Sequence, residues 1–305
     1  MKNYKKLVKS TVLLSISLIL FISCEVESVL ISNPSFSGSY TLEWEDLPKL
    51  KTGSEFKLGG FASIDYIGGK EYLLVTGRGP ALNSVENSKE KINFLAPEYT
   101  PEIIKVKLKD NNKIEIIDRN PILTLRGEEV TGLPSTTNTF EIVNSSLEPQ
   151  FWGMNPGGVA FVPDGNFFWV ADKYGPSLFQ LTGRWGELGE QKGYANIVRR
   201  VDPYQGLRKY YLHREADGGF SGLDVDSKGR LVAIIEKELF NYPTYIDSVG
   251  NVHVVDTLEL NLNRRRFVRF DPNSYDFGKM EKSALYEVEP SDYDGIPEEA
   301  VSING

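Results

Sequence analysis

The chain has 305 residues, of which 40% are hydrophobic and 25% are charged, and its formal net charge at pH 7 is −8. An acidic surface repels polyanions, so nucleic-acid binding is excluded as a function. The chain contains one cysteine, Cys24, and therefore cannot form an internal disulfide bond.

The first 23 residues have the pattern of a secretory signal peptide. Four lysines within residues 2–9 precede the apolar run TVLLSISLILFIS, and a small residue stands before Cys24. The run is too short to cross a bilayer comfortably, which takes about 20 apolar residues. We therefore predict that residues 1–23 are removed and that the protein is exported.

The residues around the cleavage point resemble the lipobox of bacterial lipoproteins, with Phe21 where leucine is usual. This resemblance implies lipidation of Cys24, residues 24–40 as a lipid-anchored tether, and attachment to the membrane in the bacterial cell envelope, at the outer membrane or the periplasmic face. The alternative is a plain secreted protein with a spare thiol.

Residues 41–305 consist of short runs of β-branched and aromatic residues bounded by Gly, Asn, Asp and Pro, which is the pattern of strands and turns. Alternating apolar positions on both sides of a DNNK turn predict a hairpin over 103–118. Residues 251–262 alternate in the same way, and the one good candidate for a helix is the short stretch 297–303. We predict an all-β domain.

Three segments share one template, in which a small residue and an apolar strand are followed by a Gly-containing turn and a second apolar run. They are residues 61–77, 157–172 and 221–236. Repeated strand–turn–strand units predict a β-propeller, and about 40 to 50 residues per blade gives five or six blades. A pair of β-sandwiches is the alternative. In a propeller, Ala62, Gly157 and Ser221 should lie around a common opening.

The end of the chain predicts how such a ring would close. We expect either an incomplete last blade or one that is completed by residues 39–47, because an open seam leaves unpaired backbone groups at a sheet edge. In the second case residues 40–44 should pair with a late strand, such as 251–260 or 284–289.

Several ordered segments resemble the phytase-like family, also described as the "esterase-like activity of phytase" domain. The strongest is NPGGVAFVPDGNFFWVADKYGPSLFQLTGRWG (155–186), and GGFASIDYIGGKEYLLVTGRGP (59–80), GGFSGLDVDSKGRLVAIIEKEL (218–239) and residues 264–290 are also similar. The resemblance covers about residues 55–290. It implies a propeller-like fold, export, and phosphoester hydrolysis with Ca²⁺ as the cofactor.

The chain departs from that family at the residues that would hold the cation. Acidic residues of the family pattern are replaced at five matched positions, which are Gly77, Asn155, Gly157, Lys173 and Ser221. A Ca²⁺ site needs several converging oxygen ligands, so these losses argue against a metal. The resemblance leaves Arg78, Asp172, Lys173 and Glu236 as candidate catalytic residues, with Asp172 and Glu236 as the remaining metal ligands.

A lysine among former acids inverts the local charge, so we predict that Lys173 points towards Arg78, Asp172 or Glu236. Two functions stay open at this point. One is an exported phosphoester hydrolase that uses a divalent cation. The other is a lipid-anchored propeller that binds a protein partner or a small ligand without turnover. The sequence names no substrate.

Overall fold

The computed structural model describes residues 38–50, 55–86, 89–135, 141–142, 147–162, 167–184, 194–208, 211, 217–236, 244–246, 252–254, 264–272 and 282–287. All but the first two of these residues belong to one compact unit, Tyr40–Gly305. Within the described ranges, no helix has the length and apolar character needed to span a membrane.

The described residues form seventeen strands and one short 3-10 helix, Trp44–Asp46. The strands are β1 (Phe61–Gly68), β2 (Glu71–Thr76), β3 (Ala81–Glu86), β4 (Lys89–Phe94), β5 (Glu102–Leu108), β6 (Ile114–Leu123), β7 (Glu141–Ile142), β8 (Pro156–Val162), β9 (Phe167–Asp172), β10 (Ser177–Arg184), β11 (Tyr194–Val201), β12 (Phe220–Val225), β13 (Leu231–Ile235), β14 (Thr244–Ile246), β15 (Val252–Val254), β16 (Arg264–Phe270) and β17 (Lys282–Glu287).

Twelve of these strands form three four-stranded antiparallel units, which we call the first, second and third blades. They consist of β1-β2-β5-β6, β8-β9-β10-β11 and β12-β13-β16-β17. The first two blades join into one eight-stranded sheet because β6 pairs in parallel with β11. The all-β, propeller-like fold predicted from the sequence is confirmed.

Each of the three template segments forms the opening hairpin of one blade, as β1–β2, β8–β9 and β12–β13. The hairpin predicted over 103–118 is also present, as β5–β6. Of residues 251–262 the structure describes only β15, which pairs with β14. The helix expected at 297–303 lies outside the described residues.

The described residues contain three blades, whereas the length of the chain predicted five or six. Insertions explain the long spacing between the blades. A hairpin, β3–β4, interrupts the first blade between its second and third strands, and β14–β15 interrupts the third blade in the same way.

The second blade is buried on both faces. Its alternating residues Val159, Phe168 and Val170 pack against the first blade, in a core that includes Leu73 and Ile103. The intervening residues point the opposite way, because successive side chains of a strand alternate between faces. Together with the third blade they form a second core, which includes Ala160, Trp169, Ala171, Phe220, Ile235 and Phe270.

The inner strands β1, β8 and β12 lie side by side, with β8 in contact with both of the others. Two side chains of β1 accept hydrogen bonds from the backbone of β8. The amide of Val159 donates to Ser63 Oγ (3.3 Å), and the amide of Phe161 donates to Asp65 Oδ2 (2.6 Å). Side-chain oxygens thus take the place of the carbonyls that a paired strand would supply.

The contact between β8 and β12 is closer and depends on glycine. A Cβ atom on Gly157 would lie 2.7 Å from Cα of Ser221, and one on Gly158 would lie 2.6 Å from the backbone nitrogen of Leu223. Ala62 packs into the core between the first and second blades. Gly157, Ser221 and Ala62 therefore belong to neighbouring opening hairpins. That all three surround a common opening stays a prediction.

The prediction that residues 39–47 complete the last blade is wrong. Thr41 pairs instead with the start of β6, because its amide donates to the carbonyl of Asn112 (2.9 Å) and its carbonyl accepts from the amide of Ile114 (2.9 Å). The reason lies in the outer face of the first blade, which needs a cover: Leu50 and Leu58 bury its core residues. The third blade already has a fourth strand, β17.

We predict that Gly158→Ala destabilises the protein by about 1–3 kcal/mol, because the new methyl group overlaps with the backbone of β12. Gly59→Ala is the control, since a Cβ atom there meets nothing within 4 Å. Urea unfolding followed by circular dichroism measures both variants. Equal stability of the two would contradict the close packing of the second and third blades.

Candidate functional site

Six polar residues meet at one end of the three opening hairpins, and we call them the polar cluster. An antiparallel hairpin brings the start of its first strand and the end of its second strand to the same end. The members of the cluster either precede a first strand or end or follow a second strand. They are Arg78, Asn155, Asp172, Lys173, Asp217 and Glu236.

Backbone hydrogen bonds tie the second and third blades together at this end. The amide of Lys173 donates to the carbonyl of Asn155 (2.9 Å), and the amide of Gly219 donates to the carbonyl of Lys173 (2.8 Å). The amide of Glu236 in turn donates to the carbonyl of Gly219 (2.9 Å). Only glycine fits at position 219, since a Cβ atom would lie 2.5 Å from the carbonyl oxygen of Lys173.

Lys173 forms an ion pair with Glu236 across these two blades. The distance from Lys173 Nζ to Glu236 Oε2 is 2.8 Å, and the two side chains are only 15% and 11% exposed. The prediction that Lys173 points towards an acid of the cluster is therefore confirmed. An ammonium group occupies the place next to Glu236 that a bound cation would need.

Arg78 forms the second ion pair, with Asp217. Its Nη1 contacts Asp217 Oδ2 at 2.5 Å, while its Nη2 donates to Asn83 Oδ1 at 2.9 Å. Asn155 connects the same groups, because its Nδ2 donates to Asp217 Oδ1 (2.6 Å) and its Oδ1 accepts from the amide of Arg78 (3.2 Å). This arrangement links all three blades.

Asp217 was missed in the sequence. Its backbone φ is +56°, in the left-handed region that few residues other than glycine adopt. A residue held in this conformation commonly marks a functional or tightly constrained site. The phytase-like pattern has an acid at the position of Ser221, whereas here the carboxylate comes from Asp217, four residues earlier. An acid directly before two glycines, in the sequence ADGGF, is the signal that could have revealed it.

Asp172 is buried, and its carboxylate accepts three backbone hydrogen bonds. The donors are the amides of Asn155 (2.9 Å), Tyr174 (3.2 Å) and Gly175 (2.8 Å). Burial raises the pKa of Asp172 to about 6, although these amides act in the opposite direction. Both oxygens hold the turn after β9 in place, so Asp172 is a structural acceptor in this arrangement.

Tyr174 holds the backbone at Gly132, which packs against the backbone of Arg78. Its hydroxyl donates to the carbonyl of Gly132 at 2.9 Å. Burial raises the pKa of Tyr174 well above its usual value, so the phenol stays neutral and can donate. Gly132 lies against Arg78 so closely that a Cβ atom would be 1.8 Å from the carbonyl oxygen of Arg78.

The cluster does not fit Ca²⁺. This ion prefers six to eight oxygen ligands, mostly carboxylates that converge on one point. Among the residues that the structure describes, no group of three or more His, Cys, Asp or Glu side chains could hold a metal. Each carboxylate of the cluster is engaged elsewhere: Asp172 by amides, Asp217 by Arg78 and Glu236 by Lys173. Cys24 lies outside the described residues.

No family model and no curated protein matches this chain. Solved structures with some likeness include a proposed 6-phosphogluconolactonase from Bacteroides uniformis, with 11% identity, 78% of this chain and 71% of that chain covered, and a TM-score of 0.29. The periplasmic gluconolactonase PpgL of Pseudomonas aeruginosa has 10% identity, coverage of 77% and 90%, and a TM-score of 0.23. A proposed 6-phosphogluconolactonase from Bacteroides fragilis has 9% identity, coverage of 77% and 86%, and a TM-score of 0.27. These values are too low to transfer an activity.

We predict that Asp172→Ala lowers the free energy of unfolding by about 3 kcal/mol or more, because each buried amide left without an acceptor costs about 1–3 kcal/mol. Asp226→Ala is the matched control. Asp226 also accepts from two amides, those of Lys228 and Arg230, and it pairs with the Arg230 guanidinium group, but its side chain is 22% exposed and water can replace it. Chemical unfolding should show a much smaller loss for Asp226→Ala, and equal losses would contradict the structural role of Asp172.

The raised pKa of Asp172 also predicts a dependence on pH. Between about pH 4 and 6 the folded chain binds a proton that the unfolded chain has released. This carboxyl group therefore contributes stability that is fully present below about pH 4 and is lost as the pH rises through 6. Chemical unfolding of the wild type and of Asp172→Asn from pH 4 to 8 measures this contribution. It is the difference between the two free energies of unfolding at each pH. A difference that stays constant over that range would contradict it.

Proposed function

We propose that this chain is an exported, lipid-anchored propeller-like protein that binds a protein partner or a small ligand without catalysis. The observation that carries the proposal is the ion pair between Lys173 and Glu236, 2.8 Å long and mostly buried. It closes the site at which a phytase-like protein would place a cation. A second ion pair, between Arg78 and Asp217, closes the side of this site that lies next to the first blade.

The competing function is Ca²⁺-dependent phosphoester hydrolysis, which the phytase-like resemblance implies. That chemistry needs a cation held by several carboxylates, and the three acids of the polar cluster have other partners. We infer that the scaffold of such a site persists while ion pairs between the blades replace the metal.

The ion pairs also limit what the cluster can bind. An anionic group would have to displace Asp217 from Arg78 or Glu236 from Lys173. Buried ion pairs are strongly destabilised when one partner loses the other, so this exchange costs free energy. Inorganic phosphate should therefore bind weakly at the cluster, and recognition of a partner should involve other surfaces.

Attachment to the membrane through Cys24 completes the proposal. It is supported by the charged start, the apolar run and the cysteine that directly follows a small residue. Mass spectrometry of the chain isolated from bacterial membranes should show lipid on Cys24. The Cys24→Ser variant should be released from the membrane fraction.

We predict that the purified wild type retains no stoichiometric Ca²⁺ after dialysis and leaves 4-nitrophenyl phosphate intact. Lys173→Glu removes the ammonium group and adds a carboxylate beside Glu236, so this variant should gain measurable Ca²⁺ affinity in calorimetry. Lys173→Gln is the matched control, since it removes the charge without adding a ligand, and it should gain little.

Two results would overturn these conclusions. Retained Ca²⁺ together with phosphoester cleavage in the wild type would establish the hydrolase. Equal Ca²⁺ binding by Lys173→Glu and Lys173→Gln would show that the position next to Glu236 is not a former cation site.

A further inference from the structure

Exposed apolar side chains are concentrated at the N-terminal edge of the folded unit. Thirteen large hydrophobic residues are exposed within the described ranges, and six of them fall between residues 40 and 66. They are Tyr40, Trp44, Phe56, Phe61, Ile64 and Tyr66. Single exposed apolar residues are ordinary, whereas exposed apolar residues that share one face indicate an interaction surface.

Two of these side chains lie on the outer face of the first blade. In the β1–β2 pairing Ile64 is opposite Leu74 and Tyr66 is opposite Tyr72, and residues that are opposite each other share a face. Leu74 belongs to the core that the N-terminal segment covers. Ile64 and Tyr66 remain 56% and 58% exposed beside that cover.

The cover itself exposes aromatic residues. Its Leu50 and Leu58 point inwards, whereas Trp44 is 63% exposed. Lys57 holds Trp44 in this position, because its Nζ donates to the Trp44 carbonyl (2.6 Å) and lies 5.2 Å from the centre of the indole ring. We define the N-terminal face as Tyr40, Trp44, Phe56, Ile64 and Tyr66.

The length of the tether indicates what this face meets. Tyr40 follows Cys24 by 16 residues. Fully extended, such a segment reaches at most about 55 Å, and a flexible one has an average end-to-end distance of about 20–24 Å. This step rests on the proposed lipidation of Cys24. With Cys24 in the bilayer, a tether of this length allows the N-terminal face to reach the lipid and gives it a high effective concentration there.

We propose that the N-terminal face docks onto a zwitterionic lipid surface. Tyr and Trp are the residues that prefer the interface between a bilayer and water, because they combine an apolar ring with a polar group. Glu43, Glu45 and Asp46 are sequence neighbours of Trp44, and together they outnumber the one ammonium group at the indole ring, that of Lys57, which disfavours an anionic surface. The contact is therefore driven by apolar burial, and it holds the domain against the membrane in one orientation.

The test uses the mature chain from residue 24 with Cys24→Ser, so that no lipid contributes to binding. Co-sedimentation with phosphatidylcholine vesicles measures its partition coefficient. The double variant Trp44→Ala/Tyr66→Ala should lower this coefficient by at least about tenfold, because both rings lose their burial. Phe151→Ala/Tyr204→Ala is the matched control, since these aromatic residues are 68% and 77% exposed outside the N-terminal face.

A control pair that weakens binding as much as the test pair would overturn the proposal, as would a wild type that does not bind these vesicles. Binding that requires anionic lipid and disappears in high salt would also overturn it. Quenching of Trp44 fluorescence by brominated phosphatidylcholine, measured against Trp44→Phe, supports it. Lipid on Cys24 is measured separately by mass, so a failed anchor and a failed docking surface give different results.

Discussion

The carboxylate of Asp172 is the interaction on which the junction of the blades depends. It holds the amides of Asn155, Tyr174 and Gly175, and so fixes the turn that follows β9. That turn places the backbone of Lys173 between the second blade and Gly219 of the third. With the backbone fixed, the Lys173 side chain reaches Glu236 without further adjustment. A buried acid that looks catalytic in the sequence thus positions an ion pair instead.

Much of the fold could be predicted from the sequence, because the alternation of apolar side chains along a strand is a local property. The β5–β6 hairpin and the three opening hairpins follow from that alternation and from their turns. Pairing between distant strands is not local. The aromatic and β-branched residues of 39–47 indicate a strand, but nothing in them identifies Asn112 and Ile114 as the partners. The number of blades was hard to predict for a related reason, since hairpins inserted into the first and third blades lengthen those two units.

The candidate site, too, could be predicted from the sequence only in part. A lysine next to acids in sequence and in template position predicts an ion pair, and Glu236 proves to be its partner. Asp217 could not be found by matching positions, because a left-handed backbone brings its carboxylate in from the preceding loop. Asn155 appeared as a lost acid, yet its amide does work that a carboxylate cannot, since it donates to Asp217 while accepting from Arg78.

The bonds that Ser63 and Asp65 form with β8 have a consequence for how such a fold can change over time. Between these inner strands, the amides of β8 donate to two side chains of β1 and not to a continuous ladder of backbone carbonyls. Backbone ladders are indifferent to sequence, whereas a serine and an aspartate two positions apart can be gained or erased by single substitutions. The third blade has Asp224 at the template position of Asp65. Such substitutions would alter the contact between the two inner strands, while the β6–β11 pairing and the shared core would still join the first and second blades.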